Sequence, residues 1–345
     1  MSYYQEDGYI DFRKIFTMLD KWPFGFLIGA RAIGKTFGSL FTAREREQMF
    51  MYMRRLQSET DMINKPDFSP FRAINRVKGT AVESRIISKN SVAYHDTHDS
   101  GDGKIFHSDM IGLSCALTTL AGMRGFDASP LDVLIYDEFI PEKHVKPIRN
   151  EAVALLNAYE TIARNRELEG RKPLKLLCMA NSDDISAPIF LELGIVSKLE
   201  KMALKRQETF VDEKRGIFVI NFQNSPISLA KMDTALYRLT RGNAFSEMAI
   251  GNDFHIDRQF IESRSLREFF PLVTLGEVTI YKHKSERSYY VSEHRSGSVP
   301  EYDSSDRGIS QYKRAFPYLW TQYLNRNFTF ESVLCEIVFT KYYKV

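Results

Sequence analysis

The feature that most constrains this chain is the run Gly29-Ala30-Arg31-Ala32-Ile33-Gly34-Lys35-Thr36, which fits the pattern GxxxxGK[ST] in full. An apolar stretch leads into the run, and a helical pattern follows it over residues 36–46. The two glycines let the backbone curl so that its N–H groups point at phosphate oxygens, and the following helix adds its positive end. Lys35 supplies a charge for the outer phosphates, and the Thr36 hydroxyl is an expected ligand for Mg²⁺. The run therefore predicts a binding loop for a nucleoside triphosphate.

An acidic pair, Asp137-Glu138, directly follows the apolar stretch of residues 131–136. An acid at the end of a buried strand is where Mg²⁺ is held opposite a phosphate loop. We therefore predict that Asp137 binds the metal through water and that Glu138 orients and deprotonates an attacking water. A glutamate beside the metal aspartate favours a motor-type ATPase over small GTPases and many nucleotide kinases, which do not need one. Residues 64–67 also match the guanine-reading pattern NKxD, but they precede the metal strand, so we interpret them as a turn.

Further polar residues are candidates for the same chemistry. Asn181 follows another apolar stretch, and its amide is expected to contact the water or the γ-phosphate, with a helix cap or turn as the alternative. Arg31 lies inside the loop and faces the γ-phosphate, a neighbouring subunit or solvent. Arg164 and Arg166 end a helical pattern, where the helix dipole alone favours basic residues. The functional alternative is an arginine finger that enters the site of the next subunit and stabilises the transferred phosphoryl group.

The order of patterns along the chain predicts an α/β fold. Buried strands are expected over residues 24–28, 48–53, 131–136 and 174–179, and helical patterns alternate with them. Such alternation favours a mostly parallel sheet covered by helices on both sides. The expected helix over residues 150–166 places Val153, Leu156 and Ala163 near one face.

The pattern changes after Arg215. One more strand is expected over residues 216–222, followed by β-rich segments and by helices near residues 311–325 and 330–341. We therefore expect an ATPase domain over residues 1–200, a helical and basic linker or lid over 201–245, and an α+β domain over 246–345.

Composition excludes a disordered chain, a collagen and a small disulfide scaffold, because 43% of the residues are hydrophobic and 26% are charged. The net charge of +3 is too small to indicate nucleic acid or membrane by itself. The basic excess lies in residues 195–245, where a solvated helix face and a nucleic-acid contact remain equal alternatives. No apolar run approaches the ~20 residues of a bilayer helix, and the polar N-terminus does not resemble a signal peptide.

The cysteines and histidines do not indicate a metal site. Cys115, Cys178 and Cys335 are far apart and fit a reducing compartment. The segment from His95 to Asp102, together with His107, invites a metal interpretation. Its Ser, Asp and Gly residues between apolar flanks favour a hairpin tip instead.

Taken together, these motifs resemble the DNA-packaging ATPases, terminase-like encapsidation proteins, of phi-29-like tailed phages. The resemblance is dense over residues 24–185 and fades after about residue 200. It depends on the phosphate loop and on five further runs, which are Tyr52-Met-Arg-Arg55, Tyr136-Asp-Glu-Phe-Ile140, Asn150-Glu-Ala-Val-Ala-Leu-Leu-Asn157, Arg164-Asn-Arg-Glu167 and Cys178-Met-Ala-Asn181.

The resemblance implies an assembly as well as an activity. It implies a homomeric ring, a pentamer, at the portal vertex of an empty procapsid, where ATP hydrolysis with Mg²⁺ pumps double-stranded DNA inward. The ring would form in the host cell cytoplasm and act transiently on the procapsid, without a membrane partner. Whether a structural packaging RNA docks the ring is left open.

Several residue roles also follow only from the resemblance. Arg164 matches the position of a trans-acting finger, and Arg124 matches, in charge, a second basic position near the neighbour's nucleotide. Ala32 stands where a glycine is common, which slightly restricts the backbone without removing a donor.

The resemblance further implies an RNase H-like C-terminal domain. A nuclease of that fold needs an acid in its first strand. The expected strand pair, residues 269–275 and 277–283, has only Glu277, at the turn. We therefore expect no nuclease activity.

Two other functions remain open from the sequence. A nucleotide kinase would use the same phosphate loop to transfer a phosphoryl group to a small acceptor. A structural ring component would bind ATP without hydrolysing it.

Overall fold

The structure is a computed structural model that describes residues 2–99, 105–120, 127–141, 148, 150–181, 185–222, 225–240, 242 and 260–343. The chain forms two compact units. The first unit comprises Met1–Glu192 and Lys205–Asp253, and the second comprises Leu193–Leu204 and Phe254–Val345.

The strands of the first unit form one nine-stranded sheet in the described part of the chain, in the order β3-β4-β5-β2-β6-β7-β1-β9-β8. They are β1 (Phe24–Gly29), β2 (Phe50–Arg54), β3 (Val82–Ser88), β4 (Ser91–Asp99), β5 (Ile105–Ala116), β6 (Val133–Asp137), β7 (Lys175–Ala180), β8 (Thr209–Asp212) and β9 (Ile217–Phe222).

The middle of this sheet is parallel, and both of its edges are antiparallel. Strands β5, β2, β6, β7, β1 and β9 pair in parallel, whereas β3-β4-β5 and β8-β9 pair antiparallel. The central strands are buried along their whole length, which explains why they form continuous apolar stretches in the sequence. The predicted mostly parallel α/β sheet is therefore confirmed. Strands β4 and β5 pair antiparallel, and residues 100–104, where the hairpin tip was expected, lie outside the described residues.

The helices of the described residues are α1 (Phe12–Lys21), α2 (Lys35–Glu45), α3 (Gln57–Ile63), α4 (Phe71–Lys78), α5 (Leu117–Leu120), α6 (Glu151–Ala163), α7 (Pro188–Glu192), α8 (Val196–Leu204), α9 (Pro226–Ala230), α10 (Ala235–Leu239), α11 (Asp306–Ala315), α12 (Tyr318–Leu324) and α13 (Val333–Lys341). Short 3₁₀ turns lie at Pro66–Phe68, Lys231–Asp233 and Leu266–Glu268. The first of these turns covers part of the NKxD match.

The apolar face predicted for α6 is only partly buried: Ala163 is buried and Leu156 is half-buried, but Val153 is not. Val153 is 42% exposed, and the buried side chains of the helix include Ala152, Leu155, Ala158 and Ile162. These four follow the i, i+3, i+4 spacing of a helix that packs on a sheet, one residue out of phase with the predicted face.

The boundary expected near residue 200 also differs from the structure. Residues 209–222 were expected to include a linker or lid, but they form β8 and β9, and β9 pairs in parallel with β1. The backbone hydrogen bonds of that pairing tie these strands to the first unit. Helix α8, which lies before them in the chain, is assigned to the second unit.

The second unit has a five-stranded sheet with the order β13-β10-β11-β12-β14 among the described residues. Its strands are β10 (Phe269–Leu275), β11 (Val278–His283), β12 (Tyr289–Ser292), β13 (Glu301–Tyr302) and β14 (Phe328–Phe330). Strands β10, β11 and β12 are antiparallel, and β13 and β14 each join one edge in parallel. The single helix expected near residues 311–325 is two helices, α11 and α12, because Pro317 lies between them.

Two kinds of feature are absent from the described residues. No helix there is long and apolar enough to cross a bilayer. No group of three or more His, Cys, Asp or Glu side chains is placed there to hold a metal ion.

Candidate nucleotide-binding site

The phosphate loop connects the end of β1 to the start of α2. Gly34 is the N-cap of α2 and has a φ of +92°, a conformation that favours glycine. Ala32 has a φ of +59°, so this alanine occupies the left-handed region at a cost of about 1–2 kcal/mol. A glycine at this position would adopt the same backbone conformation without that cost.

Lys35 turns back onto its own loop. Its Nζ donates hydrogen bonds to the carbonyl oxygens of Gly29 and Ala30, both at 2.7 Å. The side chain is almost fully buried, and this burial lowers the pKa of Lys35 to about 7, against the opposing attraction of Asp137 and Glu138. The Lys35 amine thus donates to neutral carbonyls, and additional negative charge beside it would stabilise its protonated form.

Thr36 and Asp137 are in direct contact. The Thr36 hydroxyl donates a 2.6 Å hydrogen bond to Oδ2 of Asp137, across 101 positions of the chain. Asp137 Oδ2 also accepts hydrogen bonds from the Tyr52 hydroxyl at 3.0 Å and from Nη1 of Arg54 at 3.4 Å. A hydroxyl and a carboxylate with so little separation are hard oxygen donors of the kind that Mg²⁺ prefers, so these residues fit the metal.

Glu138 is held by two side chains from neighbouring strands. Its Oε2 accepts a 2.7 Å hydrogen bond from Nη2 of Arg54, and its Oε1 accepts one from the Asn181 amide at 3.3 Å. Glu138 has a φ of +57°, and its side chain is 40% exposed. The left-handed backbone at Glu138 thus accompanies a carboxylate that stays accessible to solvent.

A cavity of about 600 Å³ joins the loop to the acidic pair. It is lined by Arg31, Ala32, Gly34, Lys35, Thr36, Phe37, Asp137, Glu138 and Asn181. The loop, the acidic pair and the Asn181 amide, which were predicted separately from three parts of the sequence, thus face one space. The α2 N-terminus opens into the same space, which makes it suited to a polyanion.

Lys231 approaches the loop from another part of the first unit. Its Nζ donates a hydrogen bond to the carbonyl oxygen of Arg31. Burial lowers the pKa of Lys231, and its charge in turn contributes to the lowered pKa of Lys35. Residues 201–245 thus contribute a cation beside the phosphate loop.

The two candidate finger residues differ in their surroundings. Arg166 is buried, and its Nη1 donates a 2.7 Å hydrogen bond to the carbonyl oxygen of Leu131, so it is part of the core. Arg164 caps α6 with a φ of +47° and is exposed. Leu131 precedes Asp137 by six residues of extended chain, or about 20 Å, so Arg164 lies near the opposite end of β6 from the cavity. Arg124 lies outside the described residues.

Sequence reasoning missed Arg54, Tyr52 and Lys231. Arg54 and Tyr52 fall in a run that the resemblance singled out, but no role was assigned to them. The available signal was a basic residue at the carboxyl end of an expected strand, because parallel strands bring their carboxyl ends to one edge. Lys231 left no comparable signal in the sequence.

Comparisons with known proteins support one family. A family model described as Podovirus DNA encapsidation protein (Gp16) matches residues 13–298. The DNA packaging protein of Bacillus phage phi29 is 26% identical over 246 residues, which cover 70% of this chain and 65% of that protein. The DNA packaging protein of Bacillus phage B103 is 26% identical over 251 residues, with 71% and 68% covered. The match to the phi29 protein thus spans just under two thirds of its length.

Two solved structures share the fold over nearly the whole chain. The Phi-28 gp11 DNA packaging motor gives a TM-score of 0.63 at 20% identity and covers 98% of both chains. The bacteriophage Phi-29 viral genome packaging motor assembly gives a TM-score of 0.63 at 19% identity, with 97% of this chain and 99% of that chain covered.

Proposed function

Because the chain belongs to the podovirus DNA encapsidation protein family, we propose that it hydrolyses ATP to drive double-stranded DNA into an empty procapsid. The observation that carries the proposal is the 2.6 Å hydrogen bond between Thr36 and Asp137, since it joins the phosphate loop to the acidic strand end. Phosphoryl-transfer proteins use such a pairing to hold a triphosphate with its metal. The similarity to DNA packaging proteins of Bacillus phages supports DNA as the cargo.

Binding of ATP begins with residues 29–36. Their backbone N–H groups and the α2 N-terminus receive the phosphates. Lys35 exchanges the carbonyls of Gly29 and Ala30 for phosphate oxygens. Thr36 and Asp137 would hold Mg²⁺, which when bound neutralises charge on the outer phosphates.

Hydrolysis requires a base, and Glu138 is the candidate. Its carboxylate would orient a water and take its proton. Arg54 and Asn181 occupy one oxygen each in this structure, so at least one of these hydrogen bonds must open for Glu138 to accept a proton. Asn181 would contact the water or the γ-phosphate once it releases Glu138.

Arg164 is proposed to act on the neighbouring subunit. It lies at the far end of β6 from its own cavity, so it suits a site outside its own subunit. We propose a homomeric ring, a pentamer, in which Arg164 stabilises the charge on the neighbour's phosphoryl group. Arg124, at a position that matches the family only in charge, is proposed as a second basic residue that contacts the neighbour's nucleotide.

The proposed ring works at the portal vertex of a procapsid, in the cytoplasm of the host cell. The second unit is proposed to be an RNase H-like domain without nuclease activity. Its mixed sheet with helices supports that fold, and β10, its first strand, carries no carboxylate.

Phosphate release from the full chain tests the proposal, measured with and without double-stranded DNA and procapsids. We expect DNA and procapsids together to stimulate hydrolysis, and we expect Glu138→Gln and Arg164→Ala each to abolish it. Arg13→Ala is the matched control, because Arg13 is an exposed arginine that pairs with Glu45 on the surface. A mixture of Glu138→Gln and Arg164→Ala chains should recover activity at interfaces where an intact site meets an intact finger.

The other functions give different results. Binding of ATP with negligible turnover under every condition would identify a structural ring component. Phosphoryl transfer to a small acceptor without DNA stimulation would identify a kinase. Normal hydrolysis by Arg164→Ala would refute the finger assignment.

A further inference from the structure

A buried ion pair joins the end of β2 to the start of α6. Arg55 Nε donates to Oε1 of Glu151 at 2.7 Å, and Nη2 donates to Oε2 at 2.8 Å. The Tyr136 hydroxyl donates a third hydrogen bond, to Oε1 at 2.7 Å. The two charged side chains are only 1% and 4% exposed. A bidentate pair in this environment fixes orientation as well as distance.

This pair is adjacent in sequence to the site. Arg54, the residue before Arg55, donates to Glu138 and Asp137 in the cavity. Since successive side chains on extended backbone point to opposite sides, one dipeptide contacts the site with one side chain and α6 with the other. A backbone movement that carries Arg54 away from Glu138 would therefore also move Arg55, the partner of Glu151.

The other end of α6 makes two hydrogen bonds to the segments that precede β6 and β7. Arg166 donates to the carbonyl oxygen of Leu131, and the Tyr159 hydroxyl donates to the carbonyl oxygen of Leu174 at 2.7 Å. Tyr136, within β6, contacts Glu151 at the start of the helix, and Leu131, just before β6, contacts Arg166 beyond its end. Arg164 lies between these anchors as the C-cap.

We propose that Arg55 and Glu151 are positioning residues for Arg164. The nucleotide state of one subunit then determines the position of the Arg164 that it presents to the next subunit. The proposal rests on the trans role of Arg164 proposed above. Helix α6 is 13 residues long, or about 20 Å, so a rotation of roughly 3° at Glu151 displaces its far end by about 1 Å. A misplacement of about 1 Å can cost about 100-fold in rate.

The test separates two roles of a subunit, which are providing Arg164 to the neighbour and hydrolysing ATP in its own site. Glu151→Gln keeps the side-chain volume but removes the charge that pairs with Arg55. Homogeneous Glu151→Gln protein should lose about tenfold or more of its DNA-stimulated ATPase rate, with unchanged ATP affinity. Glu138→Gln keeps a side-chain oxygen that can accept the hydrogen bond from Arg54. Mixed with Glu138→Gln chains, Glu151→Gln protein should therefore regain activity, because its intact sites then receive a correctly placed arginine from the neighbour. Glu160→Gln, at an exposed position on the same helix, is the control and should behave as the wild type.

The outcomes distinguish this inference from the proposed function. If Arg164→Ala with Glu138→Gln recovers activity but Glu151→Gln with Glu138→Gln does not, the defect lies in the variant's own site and the positioning role is wrong. If neither mixture recovers activity, the trans role of Arg164 itself fails.

If the single substitution prevents folding, a variant that removes both charges can be used in its place. Replacing a buried ion pair by apolar residues is often tolerated, so Arg55→Met with Glu151→Leu should fold. This variant should show the same low rate alone and the same recovery in the mixture. A wild-type rate in homogeneous rings would overturn the proposal.

Discussion

The buried state of Lys35 predicts that nucleotide binding takes up a proton. Without nucleotide, burial lowers the pKa of Lys35 to about 7, so at pH 8 roughly nine tenths of the side chains are neutral. A bound triphosphate supplies the negative charge that Lys35 lacks, which returns the amine to its charged form. We therefore expect Lys35 to take up about 0.9 proton per ATP at pH 8, whereas its own contribution falls to about 0.1 at pH 6.

Isothermal titration calorimetry measures this uptake. The apparent binding enthalpy at pH 8, with Mg²⁺ present, should depend linearly on the ionisation enthalpy of the buffer, and the slope gives the number of protons. The γ-phosphate contributes little at this pH, because phosphate groups with a second pKa near 6 are already ionised. Lys35→Arg is the matched control, since arginine stays charged and should abolish the uptake. A slope near zero for the wild-type chain, or an equal slope for Lys35→Arg, would refute the reasoning.

The same pKa shift affects stability in the absence of nucleotide. Between about pH 7 and pH 10, the unfolded chain binds more protons at Lys35 than the folded chain does. Stability should therefore rise with pH across this window, by at most about 1.4 kcal/mol per pH unit from this group. Lys35→Met removes the group and should flatten that part of the pH profile of urea unfolding.

Three further predictions concern stability. Arg55→Met alone should destabilise the chain by about 3–5 kcal/mol, because it leaves the Glu151 carboxylate buried and unpaired. Adding Glu151→Leu should restore most of this loss. Additive effects of the two substitutions on the free energy of urea unfolding would contradict the pairing. Gly38→Ala should lower the melting temperature by several degrees despite the better helix propensity of alanine, since its Cβ would lie 2.2 Å from Cδ2 of Phe12; an unchanged melting curve would count against this packing. Ser332→Ala should cost about 1 kcal/mol through loss of the α13 N-cap, and calorimetry of the second unit's transition checks it, with no change as the contrary result.

Local patterns were enough to predict the central sheet and the two motifs. The phosphate loop and the acidic pair each lie beside a continuous apolar stretch, and buried parallel strands produce such stretches whatever their neighbours are. The contact between Thr36 and Asp137 is explained by the rule that carboxyl ends of parallel strands share one edge, a rule that the sequence-based prediction did not use. The roles of these residues stay predictions until they are measured.

The contacts between distant strands depend on the strand order, which local sequence patterns do not reveal. Arg54 contacts Glu138 only because β2 lies beside β6, and the two residues are 84 positions apart. Strand β9 was expected within the linker or lid of residues 201–245, and nothing in its apolar residues indicates that it pairs with β1. The phase of α6 was missed because Val153 and Leu155 are both apolar, and only packing decides which of them is buried.

The charges at the site offer a physical reason why hydrolysis should depend on a ring. Arg54 and Lys35 lie beside Asp137 and Glu138, so these two acids already have basic neighbours. ATP with Mg²⁺ adds a net charge of about −2, and more negative charge develops on the transferred group during reaction. Within one subunit, Arg31 and Lys231 lie beside the loop, but Arg164 is held near the other end of β6. A neighbour's Arg164 would supply the missing positive charge, which would make hydrolysis in each site conditional on the subunit next to it.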